Sequence, residues 1–368
     1  MDFAFSEEQE MLRSQARTFL SDRFGPDRVV ALAESSDAPT LEATGWRDLA
    51  ELGWIGLSAS EDEGGGGMSF LDEAILFEEL GRALYPGPYF SSVALALPAL
   101  AAGKNNVAGL GTGERAATLA WAEPSGPYLL DDALSVSTKA EPTDGSWTLS
   151  GEKHLVPDLG AATDIVVVAA AGDGIGLWLV DRASLAESRV LSTMDATRRL
   201  GSLVLSNAPA ELLVAPGSAE ALLAKIRLRA QAALALEAVG IANKVLELSI
   251  AYVSERKQFD KPIGSYQAVS HPVADTYVDT ELARSLAYWA AWCVSEDDEQ
   301  APVAAAAAKS FAGEAAVTAC ERSIQVHGGI GFTWEHILHR YYKRAQWIQA
   351  FDGSGDVQRK VLAAHLLD

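Results

Sequence analysis

The stretch "SAEALLAKIRLRAQAALALEAVGIANKVLELSIAYVSERKQF", residues 218–259, repeats apolar residues with the period of a helix over about 40 residues. We expect Pro262 to stop this helix, because proline lacks the backbone N–H that a helix interior needs. Three further helical patterns follow, joined by short loops, over residues 266–296, 302–328 and 333–351. Their frequent alanines allow helices to approach closely, so the sequence predicts a four-helix bundle over residues 218–368.

Residues 1–115 are predicted to form an N-terminal helical domain. Ser6, followed by two glutamates, is typical of an N-cap with acids in the first turn, and the pattern continues through Phe24. Two more helical patterns flank the acidic, glycine-rich stretch "SASEDEGGGG" (58–67). Its four glycines lack the lysine and hydroxyl residue of a phosphate loop, which predicts a flexible connector.

The pattern changes near residue 116. Short alternating or β-branched runs, separated by Gly, Pro and Asp turns, read "AATLAWA", "ALSVSTKA", "SWTLSGEKHLV", "DIVVVAAA" and "GIGLWLVD". They predict a central small β-barrel or sandwich over residues 116–217, in which "AGDGIG" (171–176) is a hairpin turn and not a dinucleotide-binding loop. The predicted fold class is therefore α+β and multidomain, in the order helical, β, helical.

The charge balance limits the partners of the chain. It has 29 Lys+Arg against 50 Asp+Glu, a net charge of −21. Such a field repels nucleic acids and anionic membranes. The N-terminal "MDFAFSEEQEMLRSQA" has neither the basic head nor the apolar run of a signal peptide, and no stretch predicts a membrane span. Cys293 and Cys320 lie in alanine-rich helical stretches, which predicts reduced core residues in a cytoplasmic protein.

Two segments could hold an anion. In "QVHGGIGF" (325–332) the glycines leave backbone amides bare between two helices, where they could cradle a diphosphate. A glycine C-cap followed by a turn explains the same residues. Arg256 could pair with a phosphate, but cations are also expected near a helix C-terminus. The residues alone leave both alternatives open.

The acidic turn "QAFDGSGDVQRK" (349–360) is the remaining candidate. A calcium loop starting at Asp352 would need glycine at its sixth position and glutamate at its twelfth, where the sequence has Val357 and Ala363. The histidines are scattered and lack the acidic partners of a di-iron bundle. We therefore predict no metal, and a helix break that leaves two carboxylates near the end of the bundle.

Taken together, three stretches resemble the acyl-CoA dehydrogenase family: "ELGWIGLSASEDEGGGGMSFLDEAILFEELGR" (51–82), "ERKQFDKPIGSYQAVSH" (255–271) and "QVHGGIGFTWEHILHRYYKRAQ" (325–346). The family's order of domains is also helical, β, helical. The resemblance implies an FAD enzyme that oxidises an acyl-CoA thioester to the trans-2-enoyl-CoA. A carboxylate removes the α-proton while the β-hydrogen leaves as hydride to the flavin N5. Electron-transfer flavoprotein, or a similar acceptor, is the implied electron partner.

The resemblance also implies site residues. Two segments match those that hold one FAD from different subunits, which implies a homo- or hetero-tetramer built as a dimer of dimers. Their matching residues are Arg256, Gln258 and Phe259 in one segment and Gln325, Gly328 and Gly329 in the other. The family's Tyr-Glu-Gly-Thr segment reads Phe351-Asp352-Gly353-Ser354, so Asp352 takes the position of the base and Ser354 that of the hydroxyl that reaches FAD.

The chain departs from the family pattern at the flavin. Trp121-Ala122 stands where a Ser or Thr normally precedes a glutamate, so that hydroxyl is missing, and the segment after it reads Glu123-Pro124-Ser125-Gly126-Pro127. The later aromatic-Ile-Ser/Thr that backs the flavin reads Leu155-Val156-Pro157. Aspartate in place of glutamate also shortens the base by one methylene, about 1.5 Å.

These departures resemble the branch of the family that acts on bulky acyl-CoAs such as steroid side chains. Some members of that branch are heteromeric, with a full flavin and base set in only one subunit type. A working dehydrogenase with Asp352 as base is the first interpretation. A half-site subunit that completes a partner's FAD pocket is the second, and a flavin-dependent oxidase or monooxygenase is the third.

Overall fold

The computed structural model describes residues 5–103, 107–126, 128–130, 136–143, 145–172 and 174–367. The chain divides into two compact units. Unit 1 contains Met1–Ala31, Ala74–Tyr85 and Gln231–Asp368, and unit 2 contains Leu32–Glu73 and Pro86–Ala230. The predicted domain boundaries at 115/116 and 217/218 stay a prediction. Pro127 and the start of the predicted strand 133–140 lie outside the described residues.

The helices follow the predicted order. They are α1 (Glu7–Arg23), α2 (Pro26–Glu34), α3 (Trp46–Glu51), α4 (Phe70–Ala83), α5 (Leu97–Ala102), α6 (Ala108–Gly111), α7 (Ala219–Glu255), α8 (Gln267–Ser295), α9 (Ala301–His327), α10 (Leu338–Ala350) and α11 (Gly355–Leu367). A buried π-helical segment, Phe90–Ala96, precedes α5. Among the described residues, no helix is long and apolar enough to cross a membrane.

The predicted start of α1 is confirmed. The Ser6 hydroxyl accepts a hydrogen bond from the Gln9 amide at 3.2 Å, and the Gln9 side chain accepts one from the Ser6 amide at 3.1 Å. This capping box satisfies two of the N–H groups that every helix start leaves without a partner. Three glutamates in the first turn add favourable charge at the positive end of the helix dipole.

The bundle helices α7 to α10 are those that the sequence predicts, and α11 is an additional short helix. The predicted stop at Pro262 is wrong, because α7 ends seven residues earlier, at Glu255. Strand β8 (Lys257–Gln258) then pairs with β9 (Lys261–Pro262). Phe259 and Asp260, between these strands, have φ of 52° and 65°. Two consecutive residues with positive φ turn the chain as in a tight hairpin, which ends the helix before proline can.

Glycines let two helices of unit 1 approach closely. A Cβ added at Gly240 of α7 would lie 2.0 Å from the backbone oxygen of Glu78, and one added at Gly81 of α4 would lie 2.3 Å from that of Glu237. No side chain fits at either position. Cys293 and Cys320 are buried and free in this unit, as predicted, and burial raises the pKa of both thiols.

Unit 2 contains the predicted β-barrel. Its strands are β1 (Ala117–Ala120), β2 (Lys139–Thr143), β3 (Ser146–Pro157), β4 (Asp164–Ala171), β5 (Gly174–Asp181), β6 (Glu187–Val190) and β7 (Leu200–Val214). The pairings β4–β5, β5–β7, β7–β3, β3–β2 and β2–β4 close a ring, with β1 beside β4 and β6 beside β7. The interior is apolar and includes Leu149, Ile165, Trp178 and Leu203. The predicted runs did not include β6 and β7.

The hairpin at residues 171–176 is confirmed, since Ala171 pairs with Gly174 in antiparallel register. Residue 173 within it lies outside the described part. The prediction of a flexible connector at residues 64–67 is wrong. Backbone amides there donate to carbonyls of residues 56–61, and a Cβ at Gly65 would lie 2.3 Å from the Ala59 oxygen. The glycines permit close backbone packing in an ordered turn.

Candidate active site

Asp352 lies in the turn between α10 and α11 of unit 1. Its φ is 52°, in the left-handed region that non-glycine residues seldom adopt, and Gly353 follows with φ of 87°. Two consecutive residues with positive φ end α10 and start α11 after a short turn. The side chain is 0% exposed, so the acidic turn directs its first carboxylate inward. Asp356, the second carboxylate, is exposed and pairs with Arg359.

Two glutamines hold Asp352. The Gln231 side chain, from α7, donates from Nε2 to Asp352 Oδ2 at 2.6 Å. The Gln358 side chain, from α11, donates from Nε2 to the Asp352 backbone oxygen at 2.8 Å. The same Gln231 nitrogen lies 3.2 Å from Gln358 Oε1. Both glutamines are buried, so this is an internal polar cluster that spans two helices and a turn.

A buried lysine accompanies the cluster. Lys309, on α9, is 2% exposed, and its Nζ donates to the Gln349 backbone oxygen at 3.2 Å. Burial lowers the pKa of the Lys309 ammonium to about 8, against the opposing effect of the Asp352 charge. A buried ammonium needs a nearby negative charge, and Asp352 supplies it.

Ser354, two residues after Asp352, is exposed. Its backbone oxygen accepts hydrogen bonds from Val357 and Gln358 in the first turn of α11. The hydroxyl therefore lies at the surface, while the carboxylate of the same turn points into the bundle. The structure brings these two predicted site residues into one turn with opposite exposure.

The first predicted FAD segment forms the hairpin after α7. Arg256, Gln258 and Phe259 are all exposed, and Phe259 is 87% exposed. The Gln258 backbone oxygen accepts a hydrogen bond from the Tyr266 hydroxyl at 3.2 Å, which fixes the hairpin against the start of α8. An aromatic ring this exposed on a tethered hairpin is available to a ligand or a partner chain.

The second predicted FAD segment follows the end of α9. Gln325 is exposed on the last turn, and Gly328 has φ of 62°. A Cβ added at Gly328 or Gly329 would meet nothing within 4 Å, so both glycines face open space. Beneath them the buried His327 ring stacks on Tyr252, with centroids 4.4 Å apart. The glycine segment thus exposes its backbone, and the residue before it is held by the stacked rings of His327 and Tyr252.

The predicted flavin segment of the barrel is in unit 2. Trp121 and Ala122 are buried, at 1% and 4% exposure. The Trp121 ring stacks on Tyr128, with centroids 5.1 Å apart, and the Ala122 backbone oxygen accepts a hydrogen bond from the His154 amide. Neither side chain carries a hydroxyl, as the sequence indicates.

An ion pair holds this segment in place. Lys153 Nζ donates to Glu123 Oε1 at 2.8 Å and to the Trp121 backbone oxygen at 3.2 Å. Ser137 and Thr138 donate both backbone and side-chain hydrogen bonds to the same carboxylate. Burial by itself would raise the pKa of the Glu123 carboxyl, but these donors lower it to about 2. Burial lowers the pKa of Lys153 to about 8.

The sequence assigned no supporting role to five buried residues around the predicted ones, namely Gln231, Gln358, Lys309, Glu123 and Lys153. One signal was available, because Lys309 ends the alanine run in "AAAAAKSFAG" (304–313), which is otherwise mostly buried. The glutamines carried no such signal, because a neutral polar residue is common on any helix surface.

A cavity of about 120 Å³ lies elsewhere in unit 1. Its walls include Arg17, Glu79, Arg82 and Lys244, and none of the predicted site residues. The arginines there are paired with Glu79 and Glu247. In the described part of the chain no group of His, Cys, Asp and Glu could hold a metal ion.

Comparisons with known proteins give a consistent result. Models of the acyl-CoA dehydrogenase N-terminal and C-terminal domains match residues 6–107 and 228–367. Acyl-CoA dehydrogenase IpdE2 of Mycobacterium tuberculosis is 34% identical over 92% of this chain and 91% of its own length. A chain from a variant of the Tcur3481–Tcur3483 steroid ACAD has a TM-score of 0.85 at 30% identity, covering 98% of both chains. A chain of the ChsE4–ChsE5 complex from Mycobacterium tuberculosis has a TM-score of 0.87 at 26% identity, covering 100% of this chain and 99% of its own.

Proposed function

Because the chain belongs to the acyl-CoA dehydrogenase family, we propose that it converts an acyl-CoA thioester to the trans-2-enoyl-CoA with Asp352 as the base. It is an oxidoreductase that acts on acyl-CoA, and FAD is its cofactor. FAD supplies the acceptor for the hydrogen that leaves the β carbon as hydride. Electron-transfer flavoprotein, or a similar protein, is the proposed acceptor of the electrons from the reduced cofactor.

The exposed segments of unit 1 fit the diphosphate part of FAD. Arg256 offers a guanidinium that can pair with phosphate, and the open glycines 328 and 329 can offer backbone amides without steric hindrance. Gln258 and Phe259 are exposed close to Arg256 in the sequence, Gln325 is exposed three residues before Gly328, and Ser354 offers a surface hydroxyl. At Trp121 and Ala122 the backbone, and not a side-chain hydroxyl, is available to the flavin, because the usual hydroxyl is missing.

The observation that carries the proposal is the buried carboxylate at the base position. An α-proton of a thioester is too weakly acidic to be lost unaided, so the base must be fixed and removed from water. Asp352 is 0% exposed and accepts a hydrogen bond from Gln231 at 2.6 Å. Its role would be to hold the α-proton on a carboxylate oxygen while the product forms.

The substitution Asp352→Asn tests this role. We expect the variant to retain FAD and to lose α-proton exchange of bound acyl-CoA, because an amide cannot accept the proton. Exchange is measured by NMR in deuterated buffer, and turnover with an artificial electron acceptor across acyl-CoAs of several lengths. Asp356→Asn, at the exposed carboxylate of the same segment, is the control and should keep both activities. Near-normal turnover in Asp352→Asn would contradict the assignment.

The substrate proposed is a bulky acyl-CoA such as one with a ring-bearing side chain. The similarity to a chain of a steroid ACAD supports this choice. The test is a comparison of kcat/KM between straight-chain and ring-bearing thioesters. A clear preference for short straight chains would contradict it.

A second function is favoured by two departures from the family pattern. A base shortened by one methylene, together with the missing hydroxyl at Ala122, is also what a half-site subunit of a heteromeric dehydrogenase would have. The ChsE4–ChsE5 neighbour is a complex of two named proteins, which supports the idea of a heteromer. A chain that is colourless when pure, and gains flavin only after mixing with a related dehydrogenase, would favour this function. Stoichiometric hydrogen peroxide in air would instead indicate an oxidase.

A further inference from the structure

We propose that Gln231 is a positioning residue for the Asp352 carboxylate, an inference that rests on the proposed role of Asp352 as base. Gln231 lies 121 residues before Asp352 in the sequence, yet its amide donates to Oδ2 at 2.6 Å. Both side chains are buried, at 2% and 0% exposure. No bulk water can take over this bond, so the amide determines the direction in which the carboxylate faces.

A second glutamine fixes the backbone of the same residue. The Gln358 side chain donates from Nε2 to the Asp352 backbone oxygen at 2.8 Å. Its Oε1 accepts a hydrogen bond from Gln231 Nε2 at 3.2 Å. The left-handed backbone at Asp352 is uncommon for a residue with a side chain, and such conformations persist where the surroundings hold them. The pair of glutamines therefore anchors the side chain through α7 and the main chain through α11.

The chemistry of an amide suits this role. Gln231 donates a hydrogen bond without gaining or losing a proton, so it leaves the negative charge on the carboxylate. The charged group that faces the cluster is Lys309, whose ammonium interacts with Asp352. Aspartate is one methylene shorter than glutamate, which makes the orientation of its carboxylate more critical for reaching a proton.

The substitution Gln231→Leu removes the donor at similar volume. We expect kcat to fall about 10²-fold, the loss typical of a catalytic group displaced by about 1 Å, while KM and bound FAD stay unchanged. We expect KM to stay because the Gln231 side chain is 2% exposed and donates to Asp352 and Gln358 inside the bundle. Gln15→Leu, the same substitution on the exposed face of α1, is the control and should leave kcat unchanged. Unchanged kcat in Gln231→Leu would overturn the positioning role.

A double-mutant cycle gives a readout that does not depend on turnover. Urea unfolding of Gln231→Leu, Asp352→Ala and the double variant should give losses that are not additive, because each substitution removes the one bond that the two residues share. Additive losses overturn the contact itself. If leucine does not fold there, Gln231→Met replaces it, since methionine adapts to irregular space.

The two measurements separate the failures. Coupling in the cycle with unchanged kcat in Gln231→Leu overturns the positioning role and leaves the proposed function intact. Coupling in the cycle with no turnover by the wild-type chain, alone or with a related dehydrogenase, overturns the proposed function and the positioning role with it.

Discussion

Buried charged residues lie at both candidate segments, the one in the barrel and the one in the bundle. Glu123 and Lys153 pair beside the predicted flavin segment of the barrel, with the lysine side chain 0% exposed. In the bundle, the charge of Asp352 acts on the buried Lys309 and opposes the effect of burial, which lowers the pKa of the lysine. Removing one member of such a pair leaves an uncompensated charge in a low-dielectric interior, which costs far more than the pair itself contributes.

Glu123→Gln should therefore destabilise the chain at neutral pH by about 3–5 kcal/mol, because Lys153 loses its counter-ion. The variant should also change the acid dependence of unfolding. The pKa of Glu123 is about 2 in the folded chain against 4.5 for a free glutamate, so its contribution is complete above about pH 4.5 and is lost as the pH falls toward 2.

Urea unfolding between pH 7 and pH 2 measures both effects. The wild-type chain should lose more of its free energy of unfolding below pH 4.5 than the variant does. Glu152→Gln, at the exposed neighbouring position on β3, is the control and should leave both quantities unchanged. Parallel pH curves for Glu123→Gln and the wild type would contradict the prediction.

Helices α4 and α7 show how small residues set the distance between elements. Gly81 and Gly240 stand where a side chain would collide with the backbone of the facing helix. The charged residues beside them pair between the same helices, as Arg82 does with both oxygens of Glu247 at 2.6 Å. Close contact and paired charge therefore fix the register of α4 on α7 within unit 1.

Gly240→Ala tests this contact. The added methyl would lie 2.0 Å from the Glu78 oxygen and 2.7 Å from the Arg82 nitrogen, so the helices must separate. We expect a loss of about 1–3 kcal/mol in the free energy of unfolding, the range typical of overpacking. Gly329→Ala, where nothing lies within 4 Å, should leave stability unchanged. Equal stability of Gly240→Ala and the wild type would show that α4 and α7 can separate without cost.

The surface of the whole chain combines strong negative charge with local apolar side chains. The net charge of −21 disfavours association, yet Ile330, Phe332 and Trp334 are 49%, 75% and 62% exposed within five residues. Apolar side chains grouped in this way are typical of a surface that another chain covers. We therefore expect residues 330–334 to lie at a subunit contact in the tetramer that the family resemblance implies.

Phe332→Ser should therefore weaken the assembly without unfolding the chain. We expect analytical ultracentrifugation to detect a smaller species than the wild type forms. Phe332 has the largest exposed fraction of the three apolar side chains, and the substitution removes its ring. Met11→Ser, at a side chain 65% exposed on α1, is the control. A variant that sediments as the wild type does would remove this segment from the proposed interface.

The sequence by itself determined the order of helical, β and helical segments, the capping of α1 and the turn that holds Asp352. Each of these depends on local patterns: the periodicity of apolar residues, a cap, or paired glycines. The sequence did not predict the end of α7 at Glu255. The hairpin that follows has positive φ at Phe259 and Asp260, and neither residue is a glycine, which would have indicated a turn. The sequence did not predict strand β7 either, because Gly201, Asn207 and Pro209 lie within its run and are residues typical of turns.

Only the tertiary structure decided what surrounds the predicted base. Gln231 and Lys309 are far from Asp352 in sequence, and nothing local distinguishes them from other polar residues of the bundle. The turn at Asp352 points its carboxylate into the bundle. A buried charge requires hydrogen-bond donors and a nearby opposite charge, and the fold places Gln231 and Lys309 there. The sequence thus determined the position of the carboxylate, whereas packing decided its orientation, its partners and its exclusion from water.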